Sequence, residues 1–320
     1  MLKQMLKRID YHEPVGKDVA TLKALHRAWR LAVPYENLDI QLGRPIRLDQ
    51  QSLYDKLIIQ RRGGYCYEQN GGLAMLLRAA GFDVAMVEAA VMRADRGDST
   101  WGNHNALLVD VQGQRWLADA GIGDGFVEPL PLQEATYRQQ GQAYRLQELE
   151  PDTWRMHHHQ GGSIPSYDFH LAPKELSDFG RRCEQLSTAP DSPYVTTLIV
   201  GRTEPVGTTS LLLSRTIRTI GMASNEPASR RLTTHEEFVA ALRDDFLIPV
   251  DDLGPAALEH LWARPGSPGR TTVSRAEGHG SAVTTRRSPP RGRSRAAPPW
   301  SPCRTRWSGS RRGARGPWAA

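Results

Sequence analysis

In Arg61-Arg62-Gly63-Gly64-Tyr65-Cys66-Tyr67-Glu68-Gln69-Asn70, two glycines run almost directly into a cysteine. The glycines let the backbone turn sharply. Beyond them Leu73, Leu76 and Leu77 recur at helical spacing as far as Gly81, a natural stop. Cys66 is therefore expected in the first turn of a helix, where the helix dipole favours an anion and lowers a thiol's pKa. An arbitrary cysteine is more often a small buried apolar residue, and the glycine approach is what tilts this one toward a nucleophile.

Toward the N-terminus, Val19, Leu22, Leu25, Trp29 and Ala32 have helical spacing, and Leu53, Leu57 and Ile58 mark a second, shorter helical stretch. Residues 1–84 thus read as mainly helical. From Asp83 the pattern turns to strands over 84–92, 104–111 and 115–119, an antiparallel sheet or small barrel reaching to about residue 195. A third region, 196–264, follows strands at 195–200 and 210–217 with a helix over 234–246, opened by the capping box of Thr234 and Glu237. Strands bracketed by helices predict an α+β architecture.

Residues 265–320 differ in kind. They hold twelve arginines, one acidic residue (Glu277), three tryptophans and no Leu, Ile, Met, Phe or Tyr. Too little apolar area is available there to offset ordering entropy, so the segment reads as a disordered basic tail, and the abrupt change near Pro265 is also what an altered reading frame in a GC-rich gene would give. The high isoelectric point belongs to this tail, since residues 1–264 are net negative, and it carries no message about a nucleic-acid partner beyond nonspecific contact. No apolar run is long enough for a membrane span or a secretory signal, which places the chain in the cytoplasm by expectation. Cys66, Cys183 and Cys303 lie far apart, so neither a disulfide framework nor a cysteine-rich zinc site is suggested.

A cysteine nucleophile needs a base, and the base needs an orienting group. Both occur on one expected hairpin, His104-Asn105-Ala106-Leu107-Leu108-Val109-Asp110-Val111-Gln112-Gly113-Gln114-Arg115-Trp116-Leu117-Ala118-Asp119. A two-residue turn at Gln112-Gly113 sets residue 111 opposite 114. Extending the ladder sets Ala106 opposite Asp119, so that His104 and Asp119 become diagonal neighbours on one face. A slip of one residue would separate them. Singly, His104 reads as a packed barrel histidine and Asp119 as a turn residue; jointly, with Cys66 upstream, they read as a triad.

With these residues in order the chain resembles the arylamine N-acetyltransferase family. Arg62-Gly63-Gly64-Tyr65-Cys66 matches the family's cysteine signature, His104 its catalytic histidine, and Asp119-Ala120-Gly121-Ile122-Gly123 its Asp-x-Gly-x-Gly run. Pro34-Tyr35-Glu36-Asn37-Leu38 matches a further motif, and the resemblance covers about residues 5–262. It implies an N-terminal helical bundle, a central antiparallel β-barrel and a C-terminal α/β lid, with a cysteine-protease-like Cys-His-Asp core. It implies ping-pong acetyl transfer from acetyl-CoA, a co-substrate and not a tightly bound cofactor, through Cys66 to an aromatic amine or hydrazine. Glu36 and Arg62 would form a buried ion pair under the cysteine loop, Tyr35 would line the amine pocket and Tyr67 would assist at the oxyanion. Gly121, Gly123 and Asp124-Gly125 would admit coenzyme A. Ile122 and Tyr194 stand where the family often has other residues, and both would line the pocket or cofactor cleft.

Other chemistry is weaker. His157-His158-His159 is a metal candidate, but side chains along a strand alternate faces and no nearby carboxylate completes a set, so no metal is expected. Cys183, beside Arg181 and Arg182, reads as an ordinary thiol, and Gly121-Ile122-Gly123 lacks the strand-turn-helix context of a dinucleotide site. Rival readings are a Cys-His-Asp hydrolase, a macrocycle-forming amide synthase of the same family, and a nucleic-acid binder acting through the tail.

Overall fold

The computed structural model describes residues 1–205, 207–221 and 229–264; the readings made of 265–320 lie outside the described residues. Helices α1 (Leu2–Arg8), α2 (Val19–Ala32), α3 (Leu38–Gln41), α4 (Gln50–Tyr54) and α5 (Cys66–Ala79) form the N-terminal layer. Asp18 caps α2 by accepting from the Thr21 amide at 2.8 Å, and α4 widens into a π turn over Asp55–Ile59. Helix α5 is buried on nearly every side, against Trp29, Leu53 and Leu57 on one flank and the sheet on the other. Its polar residues Glu68, Gln69 and Asn70 are buried as well, and each is paired.

The strands are β1 (Tyr35–Glu36), β2 (Asp83–Val91), β3 (His104–Val111), β4 (Gln114–Ala118), β5 (Leu130–Pro131), β6 (Ala135–Gln139), β7 (Gln142–Glu150), β8 (Thr153–His157), β9 (Ser166–Lys174), β10 (Ile199–Thr203), β11 (Thr209–Leu213), β12 (Thr216–Ile220) and β13 (Ser229–Arg231). Eight of them form an antiparallel sheet in the order β5-β4-β3-β2-β9-β8-β7-β6, curled into a nearly closed barrel. The ends β5 and β6 meet through the Tyr137 hydroxyl, which donates to the Pro131 carbonyl at 2.9 Å. Val87, Leu108, Leu117, Leu146, Met156 and Phe169 fill the interior. A second sheet, β1-β10-β11-β12-β13, packs through Val200 and Leu212 on Phe238, Leu242 and Phe246 of the helical segment after Thr234.

Strand β1 belongs to two neighbourhoods. Tyr35 pairs with Gly201 of β10 on one side and with Gly64 of the cysteine loop on the other. Asn37 extends the link by donating to the carbonyls of Tyr194 and Thr197 and accepting from the Ile199 amide. The Pro34–Leu38 motif is therefore the seam between loop and lid.

Two expected strands are corrected. The strand over 195–200 starts as a helical turn, Pro193–Thr196, because Ser192 caps it and Pro193 has the fixed φ of a first helical position; the strand begins at Ile199. The strand over 210–217 is a hairpin, β11 to β12, reversing at Ser214, which takes a left-handed φ of 54°.

Candidate active site

The cysteine loop is built on close approach. Neither Gly63 nor Gly64 has a positive φ; the left-handed residue is Arg61, at 55°. A Cβ on Gly63 would lie 2.0 Å from the Pro34 carbonyl oxygen, and one on Gly64 would lie 2.6 Å from Glu68 Cβ. The glycines thus let the loop lie flat on β1 and under the first turn of α5, where Glu68 accepts from the Tyr65 amide at 3.1 Å. Beneath the loop, Glu36 is fully buried and accepts from Arg62 Nε at 3.0 Å and Nη2 at 2.8 Å. Lys56 extends the network to Asp39 and Glu68, 2.7 Å from each. Removing one member of such a set would strand a buried charge.

Cys66 begins α5, with its sulfur turned toward the Asn103 carbonyl, 4.0 Å away. The sequence expectation for its acidity is corrected here. Burial, then Cys183, pushes the Cys66 thiol well up, while the Tyr67 amide of the helix terminus pulls the other way and is outweighed. Tyr194 interacts with both the Cys66 thiol and the Tyr35 hydroxyl, so these three side chains meet. The Tyr67 hydroxyl donates to the Gly102 carbonyl, which leaves its amide as the group it brings to the sulfur. Cys183 lies 2.8 Å from the Tyr65 hydroxyl.

The hairpin has the register expected of it, with Val111 opposite Gln114 and Leu107 opposite Ala118. Gln112 and Gly113 both have positive φ, as a two-residue turn of this hand needs. His104 Nε2 lies 2.8 Å from Asp119 Oδ2, and both side chains are buried. Burial would raise the Asp119 carboxyl, but His104, Asn70 and the Gly121 amide outweigh it and hold the group below the usual range. A Cβ on Gly121 would lie 2.7 Å from Asn70 Nδ2, 2.8 Å from His104 Cε1 and 3.0 Å from Cys66 Cα. The histidine ring and the cysteine therefore close on the same point, and Gly121 fills it with backbone alone.

Several residues of this site carried no signal in the sequence reading. Asn70, one helical turn after Cys66, donates to Asp119 Oδ1 at 2.9 Å and to the Asn105 carbonyl at 2.6 Å, and accepts from the Ala120 amide at 2.8 Å. Its i+4 position from Cys66 was the available clue. Arg30 is buried and donates to the carbonyls of Ala120, Ile122, Gly123 and Gly125 and to Thr203 Oγ1. His26 Nδ1 lies 2.8 Å from the Val127 carbonyl while its Nε2 lies 3.2 Å from the Asp119 amide. Ile122 packs into the barrel core, and Gly123 faces Tyr35 and Leu211 with room for a methyl group.

The metal reasoning is also corrected. Strand β8 stops at His157, so His158 and His159 escape the alternation of a strand, and the buried Asp124 lies 3.6 Å from His158 and 3.8 Å from His159.

Helices, a nearly closed barrel, a second sheet and buried Cys66, His104 and Asp119 define an α+β protein with the residues of a thiol acyl-transfer site. A family model described as N-acetyltransferase matches residues 18–253. The chain belongs to the arylamine N-acetyltransferase family. It is 35% identical over 183 residues to arylamine N-acetyltransferase of Escherichia coli (strain K12), covering 56% of this chain and 64% of that protein. With arylamine N-acetyltransferase of Mycolicibacterium smegmatis it shares 36% over 202 residues, 61% of this chain and 74% of that protein. The sequence match thus spans somewhat less than two thirds of the Escherichia coli relative. In structure, arylamine N-acetyltransferase from Salmonella typhimurium superposes with a TM-score of 0.74 at 29% identity, covering 82% of this chain and 97% of that one. The Mycobacterium marinum arylamine N-acetyltransferase in complex with CoA gives 0.74 at 28%, covering 82% and 98%. Among the described residues no helix is long and apolar enough to cross a membrane.

Proposed function

We propose that this chain is an arylamine N-acetyltransferase, with Cys66, His104 and Asp119 as its catalytic triad. The observation that carries the reading is the shared point at Gly121, within about 3 Å of both the His104 ring and Cys66 Cα. A thiol pushed up by burial needs a base. Asp119 engages His104 Nε2, so Nδ1 is the ring nitrogen that takes the Cys66 proton, and the imidazolium so formed is stabilised by the Asp119 carboxylate. The thiolate attacks the acetyl thioester of acetyl-CoA, and the Tyr67 amide is a donor for the developing oxyanion. Coenzyme A departs with a proton returned by His104, leaving an acetyl thioester on Cys66. An aromatic amine or hydrazine then attacks that thioester, His104 accepts its proton and the thiol is regenerated.

In this reading Tyr35 and Tyr194 line the amine side of the thiol, Ile122 supports the cleft from the barrel, and Gly121 and Gly123 carry backbone toward coenzyme A. Glu36 and Arg62 hold the cysteine loop. Residues 1–84 supply the nucleophile, 85–195 the base and its carboxylate, and 196–264 the lid, and the protein works in the cytoplasm without a tightly bound cofactor. The test is intact-mass measurement after mixing with acetyl-CoA and again after an arylamine. One acetyl group on Cys66, lost on adding amine and absent from Cys66→Ala, is expected; label that persists in Cys66→Ala or maps to Cys183 overturns the assignment.

A further inference from the structure

Behind the proposed triad loop lies a second buried cluster that acetyl transfer does not use. After β8 the chain leaves the sheet in a tight turn closed by the Gly162 amide on the His159 carbonyl at 3.1 Å. The His158 and His159 rings consequently stand side by side, with centroids 4.3 Å apart, facing Asp124. The Asp124 carboxylate is already oriented, with Oδ2 accepting from the Ser163 amide at 2.6 Å and Oδ1 from Ser163 Oγ at 2.5 Å.

The imidazoles are left in an electrostatically incomplete state. Among the described residues neither nitrogen of the buried His158 makes a hydrogen bond of normal geometry, and Asp124 Oδ1 is 3.6 Å from its Nε2. His159 Nδ1 lies 3.1 Å from the Gln160 carbonyl, and its Nε2 lies 3.3 Å from the Asp124 carbonyl and 3.8 Å from Oδ2. A neutral imidazole has one N–H. In His159, whichever nitrogen carries it, the other aims a lone pair at a carbonyl oxygen. A cation between the nitrogens and the carboxylate removes that repulsion, and the Gln160 carbonyl then fixes the tautomer that leaves Nε2 free to ligate.

We propose that Asp124, His158 and His159 form a divalent-metal site of the zinc class. One ligand atom from each residue lies within 4.8 Å of the others. Tetrahedral bonds of about 2.0–2.1 Å put ligand atoms about 3.3 Å apart, so small shifts close the set. Two imidazoles, one carboxylate and no thiolate suit Zn²⁺, with Co²⁺ as its spectroscopic substitute. Water supplies the fourth ligand through the adjoining cavity lined by Tyr144, Gln139, Thr203 and Thr209. The metal would clamp the segment after Asp119 to the β8–β9 turn. This inference is independent of the acetyl-transfer reading.

The test uses the full chain without a histidine tag, in a Cys66→Ser background that removes the other buried thiol–imidazole candidate. After chelation and dialysis against Zn²⁺, elemental analysis should find one equivalent bound per chain, and Zn²⁺ should raise the melting temperature. Co²⁺ should give the visible bands of a tetrahedral nitrogen and oxygen set without a thiolate charge-transfer band. Asp124→Asn and His159→Gln should each weaken binding roughly tenfold or more. His157→Gln should not, since His157 pairs with Arg145 and Gln147 instead. The proposal is overturned by a chain that retains no Zn²⁺ and shows no melting shift, or by undiminished binding in Asp124→Asn and His159→Gln. Should a variant fail to fold, the cobalt spectrum of the Cys66→Ser chain decides: thiolate bands, or no tetrahedral bands, sink the site.

Discussion

Gly121→Ala removes no reacting group and should still disable the site. The added Cβ would sit 2.7 Å from Asn70 Nδ2, 2.8 Å from His104 Cε1 and 3.0 Å from Cys66 Cα. Nonbonded carbon contacts settle at about 3.5–4.0 Å, so each neighbour must retreat by roughly 0.5–1 Å. None is a free end. Asn70 is pinned to Asn105 and Asp119, His104 is bound to Asp119, and the third contact is the backbone of α5. The strain can relax only by parting the histidine from the cysteine, and a misplacement of about 1 Å costs on the order of 100-fold in rate.

Overpacking of this kind also costs about 1–3 kcal/mol, equivalent to roughly 2–12 °C in melting temperature for a chain of this size. Gly123→Ala is the control two residues on, because the nearest atoms to its Cβ are 3.8 Å away and its φ is not left-handed. That variant should melt like the parent or up to about 1 kcal/mol above it. Any loss there should fall on KM for acetyl-CoA, since that is the substrate Gly123 is proposed to face. Rapid-quench acetylation followed by intact mass gives the rate on Cys66 in both variants. Gly121→Ala acetylating within threefold of the parent would refute the idea that cysteine and histidine converge there.

Three further outcomes follow from the same geometry. Asp119→Asn should keep the fold but favour the wrong His104 tautomer, so iodoacetamide inactivation of Cys66 near neutral pH should slow by an order of magnitude or more; an unchanged rate and pH profile would remove Asp119 from its orienting role. Burial holds His26 down to about 4, against the opposing bond to Val127, so the unfolded chain binds that proton first and stability falls as pH drops from about 6.5 toward 4. This should amount to something on the order of 3 kcal/mol in denaturant titrations, and a His26→Gln variant with the same slope over that range would count against it. A chain ending at Arg264 should keep its fold and its transfer within a few fold, because Arg264 donates to the carbonyls of Gln41 and Val195; loss of transfer in a melting-competent truncation would make residues beyond 264 part of the site.

What the sequence made legible was local periodicity and turn chemistry. Gln112-Gly113 declared a two-residue turn, and from that turn alone the ladder carried His104 to Asp119. The helix at Cys66 was legible from Leu73, Leu76 and Leu77. The hairpin at Ser214 was hidden because Ser214-Arg215 turns the chain without the glycine that normally marks a left-handed residue. Asp124 beside His158 and His159 was hidden because the strand had been extended past its end and because the partners are more than thirty residues apart. The raised thiol was misread for a related reason: a helix terminus is local and visible, whereas burial belongs to the whole fold.

The pieces the sequence left unconnected are joined by buried polar side chains, and physical reasons favour that choice over apolar packing. Apolar contacts are non-directional, so α5 could slide against β3 by a fraction of an ångström at little cost. Asn70 removes that freedom. It holds the Asn105 carbonyl of β3, the Asp119 carboxylate and the Ala120 amide at once, from a helix whose first residue is Cys66. Leaving any of these buried partners unsatisfied would cost about 1–3 kcal/mol, enough to select one register. Arg30 does the same for the carbonyls of residues 120–125 from α2, and His26 for the Asp119 amide. The distance between nucleophile and base is therefore set by three side chains that take no part in the proposed chemistry, drawn from the two long helices of the N-terminal layer.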